Sequence, residues 1–162
     1  MRVVEGIADV EDVDAFVARL DDIATEHDAT VQAFDARYVV DRAHLERAVE
    51  LADRAIDRDE AIARDRAVEI LLYAAGRRQI NRALEMGVSA GEPPVVVLVD
   101  GGDEARAADA VGDLLDPAET LGGYDRERVL DFYDIGEAEL SATTGTLADL
   151  VRERVALLVV EQ

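Results

Sequence analysis

Apolar residues in this chain form short runs at four places, which is the pattern of β-strands. The predicted strands are residues 2–8, 30–34, 95–99 and 155–160. The run at 95–99 is Val-Val-Val-Leu-Val, and its lack of any polar break is typical of a strand at the centre of a sheet. The run at 155–160, Val-Ala-Leu-Leu-Val-Val, is predicted to be the last strand of the fold.

Other segments place apolar residues three and four positions apart, the spacing of one helix face. The predicted helices are residues 10–26, 42–56, 66–75, 77–86, 103–115, 126–133 and 147–153. Asp41 precedes the second helix, where an aspartate can accept hydrogen bonds from the free N–H groups. Gly76 follows the third helix, as a C-terminal glycine often does. The third helix is apolar on most sides and is therefore expected to be buried.

These elements predict an α+β fold of mixed α/β character. No hairpin turn pattern separates the strands, so helices are expected to connect them. The chain shows no linker, repeat or low-complexity segment. Its 162 residues are enough to bury a core without help from disulfides or bound metals. We therefore expect a single domain over residues 1–162, with one sheet of about four strands covered by helices.

Charge is the most unusual property of the composition. The chain has 37 acidic residues against 17 basic ones, a net charge of -20, and every basic residue except histidine is arginine. Because 49% of the residues are apolar and periodically placed, disorder is not expected. The composition is typical of a protein from a salt-accumulating halophile. In about 1 M salt charges are screened beyond about 3 Å, so an anion site would depend on short-range contacts.

The absence of cysteine and of long apolar runs indicates the compartment in which the protein is expected to lie. The chain has no cysteine, which excludes disulfides and thiolate metal sites. It has no apolar run of the length needed to span a membrane, and Met-Arg-Val-Val-Glu at the start is unlike a secretion signal. We therefore expect a soluble, cytoplasmic protein without a membrane partner.

Candidate catalytic groups are weak throughout the sequence. His27 and His44 lack the spacing of metal ligands, and no nucleophile elbow is present. The glycines of Asp100-Gly-Gly-Asp103 resemble a phosphate-binding turn, but the flanking acids would repel phosphate. We predict a tight strand–helix turn there, no catalytic residue, no metal and no cofactor. The alternative is a small nucleotide-using enzyme that acts at this turn.

Arginine is concentrated in one part of the chain. Between residues 37 and 82 there are ten arginines and nine acids, whereas the other 116 residues hold seven arginines and 28 acids. This arginine-rich segment (residues 37–82) suggests a surface for an anionic partner. The alternative is that its arginines pair only with neighbouring acids.

The densest part of this segment surrounds a predicted helix junction. Arg78 and Arg82 are four residues apart and would share a helix face. A helix that starts near Arg77 would also present backbone N–H groups to a phosphate. Ile80 and Leu84 are interpreted either as core residues or as an apolar platform beside a base. The predicted anion-binding residues are Tyr73, Gly76, Arg77, Arg78, Gln79, Ile80 and Arg82.

The sequence of residues 69–80, EILLYAAGRRQI, closely resembles the signature EILLYASG-x-RQI of the archaeal Cgi subunit of the KEOPS complex. That family includes the eukaryotic PRPK-binding protein. Residues 34–36 and 44–48 resemble an upstream stretch of the family, and residues 150–157 resemble its terminal segment. Ala75 stands where the family usually has serine. The resemblance covers essentially the whole chain, in a lysine-free, halophilic version.

The resemblance implies a non-catalytic accessory subunit that binds the small KEOPS kinase and the single-stranded 3′ CCA end of tRNA. It implies that the threonylcarbamoyl transfer to the adenosine beside the anticodon belongs to another subunit, and that further KEOPS subunits are indirect partners. For the kinase we predict a surface on the last helix formed by Leu147, Leu150 and Val151; the alternative is that these residues pack on the sheet. A regulatory module of the kinase that does not bind tRNA is the alternative function.

Overall fold

The computed structural model describes residues 1–160 as one antiparallel sheet covered by helices on both faces. The strands are β1 (Arg2–Ala8), β2 (Thr30–Asp35), β3 (Pro94–Asp100) and β4 (Leu115–Pro117). The helices are α1 (Val13–His27), α2 (Arg42–Asp57), α3 (Arg66–Ala75), α4 (Ile80–Ala83), α5 (Glu104–Gly112), α6 (Arg126–Phe132), α7 (Glu137–Ala142) and α8 (Leu147–Val160). The predicted α+β fold class with a four-stranded sheet is confirmed.

The strands lie in the order β2-β3-β1-β4, and each neighbouring pair is antiparallel. The central position of β3 was expected from its unbroken apolar run. Its residues 95–99 are fully buried because alternate side chains enter two different cores. Val95, Val97 and Val99 pack with α1 and α5, whereas Val96 and Leu98 pack with α2, α3 and α8.

The prediction of a closing strand at residues 155–160 is wrong. Helix α8 continues without a break through this segment, and Val151, Val155 and Leu158 face the core at helical spacing. A short apolar run fits a buried helix as well as a buried strand, so periodicity alone could not decide. The fourth strand is β4 instead, which pairs with β1 at the position where a helix end was predicted.

Two predicted helix boundaries are confirmed by their capping contacts. The Asp41 side chain accepts a hydrogen bond from the His44 N–H at 2.8 Å, and so caps the start of α2. Gly76 ends α3 in the left-handed region, with φ of 63°. A side chain there would also crowd α8, because a Cβ atom would lie 3.2 Å from the Arg154 carbonyl oxygen. Glycine is therefore favoured both by the backbone and by the packing of α8.

The Asp100-Gly-Gly-Asp103 segment is the tight strand–helix turn that was predicted. Gly101 and Gly102 have φ of 83° and 56°, and the Asp103 side chain caps α5. A Cβ atom at Gly102 would lie 2.1 Å from the Asp28 carbonyl oxygen, so the chain passes too close for any other residue. Gly102 therefore serves this close approach, and Gly101 adopts a positive φ in open space.

Candidate functional site

The predicted anion-binding residues lie at the junction of α3 and α4 and separate into two layers. Residues 77–79 form a non-helical link between Gly76 and the start of α4. Tyr73 belongs to the core and is 1% exposed, so the structure does not place it at the surface. The outer layer consists of exposed residues of the link and of α4: Arg78, Gln79, Ile80 and Arg82.

Arg77 belongs to the inner layer, because its guanidinium turns toward the end of α6. Its Nη2 donates a hydrogen bond to the Phe132 carbonyl oxygen, and its guanidinium carbon lies 5.2 Å from the centre of the Phe132 ring. The Nε atom is buried and has no hydrogen-bond partner among residues 1–160. Arg77 therefore ties the end of α3 to α6 and does not direct its charge outward.

The expectation that Arg78 and Arg82 share a helix face is wrong. Arg78 precedes α4, which has four residues and begins at Ile80, and Gln79 makes no side-chain cap there. A helix start at Arg77 with free N–H groups is therefore also excluded. Arg78 instead borders a shallow concave surface together with Ile62 and Val159. Within the described part of the chain, Arg82 makes no ion pair.

Ile80 and Leu84 are surface residues, so their interpretation as core is wrong. Ile80 is 48% exposed and Leu84 is 56% exposed, whereas Ala83 and Met86 between and after them are fully buried. The two buried residues hold the segment against the core. As a result, two large apolar side chains are exposed on the segment that also carries the exposed Arg82, and the platform interpretation requires this exposure.

The alternative that arginines pair with nearby acids holds for a large part of the arginine-rich segment. Within residues 1–160, at least five of its ten arginines form ion pairs: Arg37, Arg42, Arg47, Arg54 and Arg66. Arg66 donates hydrogen bonds to two acidic side chains, Asp53 and Asp100. Much of the arginine in this segment therefore serves the fold, and the exposed Arg82 makes no ion pair within residues 1–160.

A buried polar network supports the junction, and sequence reasoning missed it. The fully buried His44 ring places Nε2 2.8 Å from the Ala74 carbonyl oxygen, and Nδ1 accepts a long 3.4 Å hydrogen bond from Val40 N–H. The neutral tautomer with its proton on Nε2 satisfies both contacts. The Tyr133 hydroxyl donates to the same carbonyl at 2.7 Å. Only the burial of His44, which no local pattern indicated, distinguishes it from a solvated histidine.

Stability is expected to depend on pH through His44. Burial lowers the pKa of His44 from 6.5 to about 4. Between these two values the unfolded chain binds a proton that the native protein does not, so stability falls as pH falls. The free energy of unfolding, measured by denaturant titration, should decrease by about 2 kcal/mol from about pH 7 to pH 5.

The control for this dependence is His44→Gln, because its amide can still donate to the Ala74 carbonyl oxygen but cannot titrate. The variant should be less stable at neutral pH and should show a flat stability between the same two pH values. An equal pH slope in the variant and the native chain would show that another group titrates.

Glu69 is a second residue whose role the sequence did not reveal. Its side chain is fully buried and accepts hydrogen bonds from the N–H groups of Ile62 and Ala63 at 3.0 and 2.8 Å. The loop between α2 and α3 is thereby held beside Arg78. An acid at one end of an otherwise apolar helix was the available signal, but it did not specify the loop as its partner.

The three residues predicted to bind a kinase are core residues. Leu147, Leu150 and Val151 are 7%, 5% and 0% exposed and pack in the same core as α2 and α3. Their apolar spacing is that of any helix facing a core, and burial leaves them no surface for a partner. This prediction is therefore corrected to the alternative, packing within the protein.

Two further features, a metal site and a membrane-spanning helix, are not found among residues 1–160. No group of three or more histidine or acidic side chains in residues 1–160 has the arrangement of a metal site. No helix in that range is both long and apolar enough to cross a membrane. The protein is thus a small α+β protein. Arginine, isoleucine and leucine side chains are exposed at the junction of α3 and α4.

The comparison with protein families identifies the group to which this protein belongs. A family model described as "Kinase binding protein CGI-121" matches residues 7–158. The chain therefore belongs to the CGI-121 family of kinase-binding proteins. Membership of this family supports a role in kinase binding. No curated protein gives a significant match to the chain.

Proposed function

We propose that this protein is a non-catalytic accessory subunit of KEOPS that binds the KEOPS kinase and the 3′ CCA end of tRNA. It would support threonylcarbamoyl modification of the adenosine beside the anticodon, while another subunit performs the chemistry. The proposal places the protein in the cytoplasm of a halophilic archaeon and requires no cofactor on this chain. The observation that carries the tRNA part is the exposure of Ile80 and Leu84 on the same short segment as the exposed Arg82.

A single-stranded RNA end presents the two chemical groups that this surface can bind. Its unstacked bases offer flat apolar faces, which can rest on Ile80 and Leu84. Its phosphates can accept charge-assisted hydrogen bonds from Arg82 and from Arg78. Such short-range contacts persist in molar salt, in which long-range attraction is screened.

The inner layer supports the proposal because it holds this surface in one position. Arg77 connects the junction to α6, and Gly76 allows α8 to pack directly behind it. The Ala74 carbonyl oxygen at the end of α3 is held by the buried His44 and Tyr133 side chains. A platform fixed in this way loses little conformational entropy when it binds a ligand.

Arg82→Glu is expected to weaken binding of tRNA by at least about tenfold, because a charge-assisted contact worth roughly 1.5–3 kcal/mol is lost and repulsion is added. Binding is measured at molar salt with tRNA that keeps or lacks its CCA end. The native protein should distinguish the two tRNAs, and the variant should bind both weakly.

The matched control is Arg19→Glu, which makes the same charge change at an exposed position on α1. Ile80→Ala serves as a second variant: it should keep its stability, since Ile80 is 48% exposed, yet bind the CCA end more weakly. Equal weakening by Arg19→Glu would assign the effect to overall charge. Unchanged affinity of both Arg82→Glu and Ile80→Ala would remove the tRNA site from this surface.

The second candidate function is regulation of the kinase without tRNA binding. The pairing of five arginines with acids favours it, because it reduces the charge left for RNA. It predicts kinase binding together with equal, weak affinity for both tRNAs. An enzymatic role at Gly101 and Gly102 would instead require ATP binding by the isolated protein, which calorimetric titration with ATP tests directly.

A further inference from the structure

Strand β2 is at one edge of the sheet, and a groove of about 420 Å³ opens onto this edge. The consecutive residues Val31, Gln32 and Ala33 all line the groove. Successive side chains of a strand point to opposite faces of the sheet, so no single face can present all three. The groove therefore faces the strand edge itself, between α1 on one face and α3 on the other.

In an antiparallel sheet, hydrogen-bonded and non-hydrogen-bonded residue pairs alternate along each pair of strands. This alternation determines which backbone groups of β2 point into the groove. The Ala8 N–H donates to the Pro93 carbonyl oxygen at 3.1 Å, just beyond the paired residues of β1 and β3. By this alternation Gln32 exchanges hydrogen bonds with β3, whereas Val31 and Ala33 point their N–H and C=O groups away from it.

The side chain of Gln32 supports this assignment of the backbone groups. Its Nε2 donates to the Ala33 carbonyl oxygen at 2.8 Å, as it can if that oxygen lies on the open edge. No backbone group of residues 1–160 outside the sheet bonds to the N–H groups of Val31 and Ala33. The edge therefore retains two donors in the arrangement that an added strand would use.

The walls of the groove are mainly apolar. They come from α1, α3 and the segment after α4, and the apolar side chains are Val13, Val17, Leu20, Val68, Leu71, Leu84 and Val88. Val17 is 41% exposed although it borders an apolar groove. The opposite edge of the sheet differs, because β4 has three residues and ends in Pro117, features that block strand addition.

The charge at the rim of the groove selects among the possible occupants. Asp14 and Asp21 line the groove. Asp28 and Asp65 lie with Asp21 around the adjoining concave surface, where Arg66 is already bonded to Asp53 and Asp100. Burial, followed by the charges of Asp65 and Asp22, raises the pKa of Asp21. A phosphate chain would be repelled here, and a second copy of the protein would bring the same acids to the rim. A basic side chain would relieve the repulsion.

We propose that the open edge of β2 binds an extended segment of the partner kinase as an added strand. Alternate apolar side chains of this segment would fill the groove, and a basic residue would lie beside Asp21. The inference rests on the kinase-binding part of the proposed function and specifies its surface. Because Leu84 lines this groove and is also part of the proposed tRNA platform, the two surfaces would share this residue.

The first test is hydrogen exchange of individual amides in the complex with the purified KEOPS kinase at molar salt. Exchange of the Val31 and Ala33 amides should slow by at least about tenfold on kinase binding, because an added strand accepts their hydrogen bonds. The Gln32 and Phe34 amides, already bonded within the sheet, are the internal reference and should change little.

The second test compares kinase affinity for Val17→Asp and Ile56→Asp. These positions are 41% and 39% exposed, so both variants should fold, but only the first adds an acid at the groove. We expect at least about tenfold weaker binding for Val17→Asp and unchanged binding for Ile56→Asp. Circular dichroism confirms that each variant is folded.

Normal kinase affinity of a folded Val17→Asp variant, or no slowing at Val31 and Ala33, would overturn the edge as the binding surface and leave the family role intact. Failure of the native protein to bind the kinase would overturn the kinase part of the proposed function as well. Slowing of the same two amides in the isolated protein, in step with dimer formation, would assign the edge to a second copy and would also overturn the proposal.

Discussion

Replacing Leu150 with aspartate is expected to destabilise the native state by more than about 4 kcal/mol, a large part of the stability of most small domains. Leu150 is 5% exposed and packs in the core that α8 shares with α2 and α3. The substitution removes a buried apolar side chain and leaves a carboxylate without a partner, and each change is costly by itself. Denaturant titration at molar salt, followed by circular dichroism, measures the loss.

Leu157→Asp is the matched control for Leu150→Asp, because it introduces the same side chain on the same helix at a position that is 38% exposed. Its stability should change much less. Similar stability of the two variants would contradict the burial of Leu150. The comparison also bears on function, since loss of kinase binding by an unfolded Leu150→Asp variant would not locate an interface on α8.

Replacing Glu69 with alanine is expected to cost about 2–4 kcal/mol of stability, because two backbone N–H groups lose their acceptor. These N–H groups belong to Ile62 and Ala63 in the loop between α2 and α3, and the Glu69 carboxylate on α3 accepts their hydrogen bonds. The loop should also become more mobile, which faster exchange of these two amides would show. Thermal and denaturant unfolding give the energy.

Glu69→Gln separates the hydrogen bonds from the rest of the side chain, because its amide oxygen still accepts. It should lose less stability than Glu69→Ala and should keep the Ile62 and Ala63 amides partly protected. Equal losses for the two variants would show that the negative charge, which both variants remove, and not the acceptor oxygen alone, explains the role of Glu69. Since Arg78 lies beside this loop, tRNA affinity of both variants is a useful second measurement.

Helix α3 shows why a signature sequence need not mark a binding surface. Residues 69–75, which carry most of the resemblance to the Cgi family, are all buried. Glu69 binds the preceding loop, and the Ala74 carbonyl oxygen binds the His44 and Tyr133 side chains. The glycine that follows the helix allows α8 to pack closely. Only the end of the signature reaches the surface, at Arg78, Gln79 and Ile80. The segment is thus mainly a scaffold for the residues that follow it.

Local physical chemistry was sufficient for several features of the fold. The unbroken apolar run at 95–99 allowed only a buried element bounded by turns, and it is the central strand. Asp41 and Gly76 were recognised as helix ends because a side-chain acceptor and a left-handed backbone are requirements of the nearest residues alone. The two glycines after β3 were assigned to a tight turn for the same local reason.

The sequence by itself thus determined the fold class, the central strand, the helix caps and the concentration of arginine near the α3–α4 junction. The tertiary structure decided that residues 155–160 continue α8, that Ile80 and Leu84 are exposed while Leu150 is buried, and that Arg77 turns inward to Phe132. The physical reason is that caps and turns depend on adjacent residues. Whether an apolar or charged side chain faces the core depends on distant elements, which the spacing of residues along the chain does not specify.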